Sequence, residues 1–386
     1  MYVVAQAEIA RPAPGERAQQ PEWWKALVAL GAVGFSLTLG FMFGEPLGTF
    51  ASTGATFLPL LFLATLLQVS EWRGARIASW LWFWLIMLGF AAIAIGMTAL
   101  SFLPVDLEGG QAALTPRLAP AFAAVAAILL VGAVLAGTPL WYWLASRLGG
   151  DVDQRSPAHA QGTVGILVMA SLAIAPLALL GGRAPLIELL DRIEGSLQGM
   201  SFAAQILPQV FQVVWIAVLV LFGCGWPVRL TFRQTIERLG FGPLSRRDLA
   251  FLAGVTVATI GVGIALDFVN RVLLSSLGIP MTDPTVVTRL VPAAATPVGG
   301  LILAACAGSS EELMFRAWLQ PRLGWLLANV GFVAAHAFQY GLDGLVAVFV
   351  LGAIMAFVRQ RWNTSAAIGV HFAYDAVLFL LAAFGS

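Results

Sequence analysis

Apolar stretches of membrane-spanning length recur from residue 26 almost to the C-terminus of this 386-residue chain, and no other feature restricts its folding more. About 20 mostly apolar residues carry a helix across ~30 Å of hydrocarbon, where every backbone N–H and C=O must be satisfied within the protein. By that measure spans are expected at 26–43, 50–69, 77–99, 121–144, 163–180, 203–224, 249–268, 297–319, 323–340, 343–358 and 364–384. The expected fold is all-α, a polytopic transmembrane helical bundle of about 11 spans. Pro59, Pro139, Pro176 and Pro208 fall inside these stretches and read as tolerated kinks.

Composition supports the same class. Only 11% of residues are charged, against about 25% in an average soluble domain. A water-soluble globule and a disordered chain are excluded. Lys+Arg number 21 and Asp+Glu 20, so there is no basic footprint for nucleic acid; the lipid bilayer is the expected partner. Cys224 and Cys306 lie far apart in apolar runs and form neither a disulfide framework nor a zinc cluster.

Residues 1–22 are polar, with no apolar core before the first span, and read as an N-terminal tail rather than a cleaved signal peptide. Residues 23–225 form a six-span membrane region whose role the residues do not reveal. The loop 226–248 carries Arg229, Arg233, Arg238, Arg246 and Arg247 against Glu237 and Asp248, and divides that region from five further spans over 249–386. Basic loops face the cytoplasm, which places the N-terminus inside.

An ionisable side chain within a span costs about 2.5–3.5 kcal/mol on insertion scales, which makes each one a functional suspect. The last five spans concentrate them: Glu311, Glu312 and Arg316, then His336, then His371 and Asp375. Asp267 and Asp343 sit near span ends, where snorkelling or capping explains them; His159 lies in a polar loop. On an α-helix Glu312 and Arg316 share a face and can pair, whereas Glu311 is displaced from Arg316 by about 140°. One glutamate is then neutralised in place and the other is left free to serve as a general base. Four-residue spacing likewise puts His371 and Asp375 on one face.

The set Glu311-Glu312-x-x-x-Arg316, Phe332-x-x-x-His336 and His371-x-x-x-Asp375 resembles the CPBP intramembrane proteases, the CaaX-protease and bacteriocin-processing (Abi) group that includes the CaaX prenyl-protein endopeptidases. The resemblance covers roughly residues 245–386. It implies a helical bundle around a water-filled cavity open to the cytoplasm, in a multi-pass protein of a bacterial-type plasma membrane. It implies a glutamate-dependent endopeptidase acting on membrane-associated peptides or proteins, with Glu311 and His336 activating water, Glu312 and Arg316 supporting them, and His371 and Asp375 holding the oxyanion. Two positions depart from the family pattern: Ala317 stands where Gly is common, and Asp375 where Asn is usual. An ionised aspartate cannot donate a hydrogen bond as an amide does.

Three other readings stay open at this level. Glu311, His336 and His371 are a donor set that suits zinc or another divalent metal, which would make the chain a metalloprotease although no HExxH occurs. The buried acids and histidines could form the relay of a proton-coupled transporter. A non-catalytic scaffold or immunity protein would retain the same bundle.

Overall fold

A computed structural model describes residues 22–100, 106–107, 110–111, 119–135, 138–147, 195, 197–337 and 339–385. Three long helices come first: α1 (Trp23–Phe43), α2 (Leu47–Gln68) and α3 (Arg73–Leu100). A two-residue antiparallel ladder, β1 (Asp106–Leu107) with β2 (Gly110–Gln111), follows. Next come α4 (Ala119–Leu135), α5 (Pro139–Arg147), α6 (Phe202–Cys224) and the short α7 (Phe232–Arg238). The C-terminal part is built from α8 (Arg246–Ser276), α9 (Val286–Leu290), a 3₁₀ turn at Pro292–Ala295, α10 (Pro297–Glu311), a π-helix over Glu312–Leu319, α11 (Gln320–His336), α12 (Leu342–Arg361) and α13 (Thr364–Gly385).

The all-α polytopic bundle is what the apolar runs led one to expect, and the chain is an integral membrane protein. Eight helical runs among the described residues are long and apolar enough to cross a membrane, fewer than the eleven spans expected. The stretch 121–144 is divided into α4 and α5, with Pro139 starting a helix rather than kinking one. The stretch 163–180, with Pro176, lies outside the described residues. Pro59 and Pro208 do sit inside α2 and α6. The run Pro297–His336 merges two expected spans, yet it folds back on itself. Gly324, at φ 79°, breaks the helical path in a region favourable only to glycine. Arg316 and Asn329, which a continuous helix would separate by about 20 Å at 1.5 Å per residue, are in hydrogen-bond contact.

Large apolar side chains cover the outside of the bundle, among them Leu27, Phe35, Val257, Ile264 and Phe268. That is the inverse of a soluble surface and fits a lipid environment. Inside, α6 is the shared wall, packing against α2 on one side and against α10 and the π-helix on the other. The polar loop 226–248 is largely structured. Thr231 and Gln234 form a capping box for α7, and Ser245 and Asp248 form one for α8. Asp248 also accepts from Trp362 Nε1 at 3.0 Å, which ties the start of α8 to the α12–α13 turn.

Candidate active site

The three motifs meet, although they lie on different helices. Thr296 caps α10 through Gly299, and Pro297 occupies the first turn, where its missing N–H costs nothing. α10 then runs tightly along α13. A side-chain carbon at Gly308 would sit 3.0 Å from Phe372 N and 3.3 Å from its Cα, so any larger residue there would press α13 back from α10. One turn later α10 ends in Glu311 and the π-helix begins with Glu312, and the close approach brings His371, the neighbour of Phe372, against them.

His371 lies among three carboxylates. Its Nδ1 is 2.9 Å from Glu312 Oε1, and its Nε2 is 3.4 Å from Asp375 Oδ2 and 3.8 Å from Glu311 Oε2. Glu311 Oε2 is also 3.7 Å from His336 Nε2. His336 Nδ1 lies 2.8 Å from the carbonyl oxygen of Phe332, which can only accept. Nδ1 therefore carries a proton, and Nε2 is the ring atom turned toward Glu311. Phe332 and Tyr340 hold the ring between them, with Tyr340 stacked at 5.9 Å and 8°.

Glu312 and Arg316 are both fully buried, with Arg316 Nε 3.5 Å from Glu312 Oε2. The expected pair is present, but the reasoning that set Glu311 apart from it assumed an α-helix. Glu312–Leu319 is a π-helix, whose i→i+5 bonding widens the turn; such turns recur at functional sites. Glu311 is distinguished instead by its surroundings. Its side chain keeps a quarter of its exposure and faces two histidines, whereas that of Glu312 has none.

All six motif residues thus join one cluster, and Asp267 and Asp343 stay out of it. Asp267 pairs with Arg271 on an exposed face at 2.8 Å. Asp343 accepts from Thr282 N and Oγ1 at 3.0 and 2.7 Å and so pins the 277–285 loop. His159 lies outside the described residues. Cys224 and Cys306 are free thiols. Two neighbours of the cluster escaped the sequence analysis: Asn329, which contacts Arg316, and Tyr340, which stacks on His336. Their helical spacing was the available signal, since Asn329 lies two turns before His336 and Tyr340 four residues after it.

His336 and His371 each turn Nδ1 to an oxygen acceptor, as metal-bound histidines do. Among the described residues, however, no group of three or more His, Cys, Asp and Glu side chains converges as a metal site. His371 Nε2 is closer to Asp375 than to Glu311.

Residues 293–377 match the model of the type II CAAX prenyl endopeptidase Rce1-like family. The matched segment contains all six cluster residues and none of the first six expected spans. It is therefore related to the CaaX proteases, as the motifs implied. No curated protein and no solved structure matches the chain.

Proposed function

We propose that the segment related to the type II CAAX prenyl endopeptidases works as a metal-free intramembrane endopeptidase on membrane-associated peptides or proteins of CaaX type. The observation that carries this reading is the meeting of Glu311 Oε2 with the Nε2 atoms of His336 and His371, at 3.7 and 3.8 Å, across three helices. Those gaps are too long for direct hydrogen bonds. Glu311 and His336 can instead share one water, and both would accept from it. With its two protons so engaged, the water turns a lone pair toward a peptide carbonyl carbon.

In this mechanism the water oxygen bonds to the carbonyl carbon while one proton passes to Glu311. The carbonyl oxygen becomes an oxyanion. His371 stabilises it: with the Nδ1 proton engaged by Glu312, a second proton on Nε2 supplies the donor, and Asp375 is the counter-charge beside it. The intermediate collapses as Glu311 returns the proton to the leaving nitrogen and the C–N bond breaks. Asp375 orients His371 and donates nothing when ionised.

The test is cleavage of a prenylated CaaX peptide by the purified chain in proteoliposomes. Glu311→Gln should abolish cleavage, a loss on the order of 100-fold or more, and leave thermal unfolding unchanged. A chelator should have no effect. An active Glu311→Gln would overturn the role of Glu311, and chelator inactivation reversed by zinc would overturn the metal-free chemistry. Comparing membrane-peptide termini in cells carrying wild type or Glu311→Ala would identify the natural substrate.

A further inference from the structure

Arg316 is the cation at the base of the cluster, and its orientation has an origin outside the three motifs. A guanidinium presents five N–H donors in one plane. In Arg316, Nε is the atom nearest Glu312, ion-paired at 3.5 Å without a hydrogen bond, the Phe332 ring lies 4.7 Å from Cζ, and neither Nε nor Nη1 has a hydrogen-bond partner among the described residues. Nη2 donates to Asn329 Oδ1 at 3.2 Å. The wholly buried Asn329 is itself fixed, because its Nδ2 donates to the carbonyl of Phe349 on α12 at 2.9 Å. Flipping the amide would set its NH₂ against the guanidinium and its oxygen against a carbonyl, so one orientation is strongly preferred.

The same spot explains Gly352. A side-chain carbon there would overlap Asn329 Oδ1, Phe332 Cδ1 and Arg316 Nη2. Helix α12 carries no motif residue, yet through Phe349 and Gly352 it forms the floor on which the cluster rests.

We propose that Asn329 is a positioning residue of the endopeptidase. It sets the plane of the Arg316 guanidinium, which holds Glu312, which in turn holds His371 Nδ1 and so aims His371 Nε2 at the developing oxyanion. This inference rests on the proposed function for its catalytic meaning. The geometric relay from α12 to His371 can be examined without it.

The experiment uses the full chain in detergent or proteoliposomes, labelled with ¹⁵N-histidine; the chain has three histidines. Asn329→Leu should change the His371 ring resonances and leave those of His336 in place. It should lower kcat on the order of 100-fold, as a small misplacement of a catalytic group does. KM should stay within about twofold, because Asn329 touches no substrate. Asn329→Asp keeps an oxygen toward Arg316 and should lose less than Asn329→Leu. Gly352→Ala perturbs the same contact from α12 and should reproduce the His371 change if Asn329→Leu does not fold. In a His371→Ala background, Asn329→Leu should add little further loss.

Wild-type His371 resonances and wild-type kcat in a folded Asn329→Leu or Gly352→Ala protein would overturn the proposal. So would a full additional loss in the His371→Ala background. If the wild type cleaves nothing, the peptidase reading fails, and the ring resonances still decide whether Asn329 governs His371.

Discussion

Where α2 meets α6, Gly54 receives the indole of Trp215; where α10 meets α13, Gly308 receives the backbone of Phe372. Both contacts let two helices approach closely, but they serve different ends. Around Gly54 the interface is apolar and aromatic, with Phe50 packed 4.9 Å from Trp215 and Leu37 and Leu61 in the same buried cluster. Its polar links run from a side chain on one helix to a backbone carbonyl on the other, such as Trp215 Nε1 donating to the Phe50 carbonyl at 3.0 Å and Gln68 Nε2 donating to the Phe222 carbonyl. Around Gly308 the approach sets six ionisable side chains against one another and leaves their charges to be balanced inside the bundle. Close packing supplies shape in the first region and brings charged groups into reach in the second.

The sharpest way to break this contrast is Glu312→Gln. It strands the buried Arg316 without a counter-charge, which for a buried pair costs about 3–5 kcal/mol. Folded yield and melting temperature should fall steeply, while Gln68→Leu at the other interface should be much milder. A stable but inactive Glu312→Gln beside an active Glu311→Gln would reverse the roles assigned to the two acids.

The two glycines can be compared directly. Gly308→Val forces α13 away from α10 and should reduce kcat on the order of 100-fold, because His371 moves relative to Glu311. Gly54→Val overpacks the α2–α6 contact and should cost about 1–3 kcal/mol of stability. Turnover per folded molecule should be unchanged. Equal losses of kcat in both variants, measured on purified folded protein, would mean that the N-terminal helices take part in the chemistry.

A smaller effect is expected at Asp375. Asp375→Asn keeps a hydrogen-bonding side chain beside His371 Nε2 and should retain much of the activity, whereas Asp375→Leu removes that neighbour and should retain far less. If Asn and Leu prove equally inactive in the peptide-cleavage assay, the aspartate is required as an acid or a ligand.

The smallest effect lies outside the spans. Burial works against an ionised Asp283, but hydrogen bonds from Thr285 and Arg289 and the charge of Arg289 outweigh it and hold the carboxyl below its usual 3.8. A lowered folded-state value adds stability that is present above pH 3.8 and is lost as the pH falls through the folded value. The advantage of wild type over Asp283→Asn should therefore be below about 1 kcal/mol at neutral pH. It should vanish on acidification, as followed by unfolding at a series of pH values. A gap that widened in acid would contradict this sign.

Much of the bundle was legible without coordinates. Most expected spans coincide with described helices because a 20-residue apolar run has few alternatives in a membrane. The motif residues stood out because charge is rare in such runs, and hydropathy marks each one locally. The expectations fared worse where local pattern and actual geometry part. Pro139 begins a helix, and Glu312–Leu319 is not α-helical.

Residue types and their spacing were thus enough to identify a helical membrane protein, to select Glu311, Glu312, Arg316, His336, His371 and Asp375, and to pair Glu312 with Arg316. Tertiary structure alone decided that Glu312 takes His371 Nδ1 across 59 residues, that Glu311 faces both Nε2 atoms, and that Asn329 brings α12 into the site. Hydropathy and helical period reach only along one helix, over distances of a few turns. Which ring nitrogen meets which oxygen depends on how closely two helices approach, and that is set where Gly308 and Gly352 leave room for their neighbours.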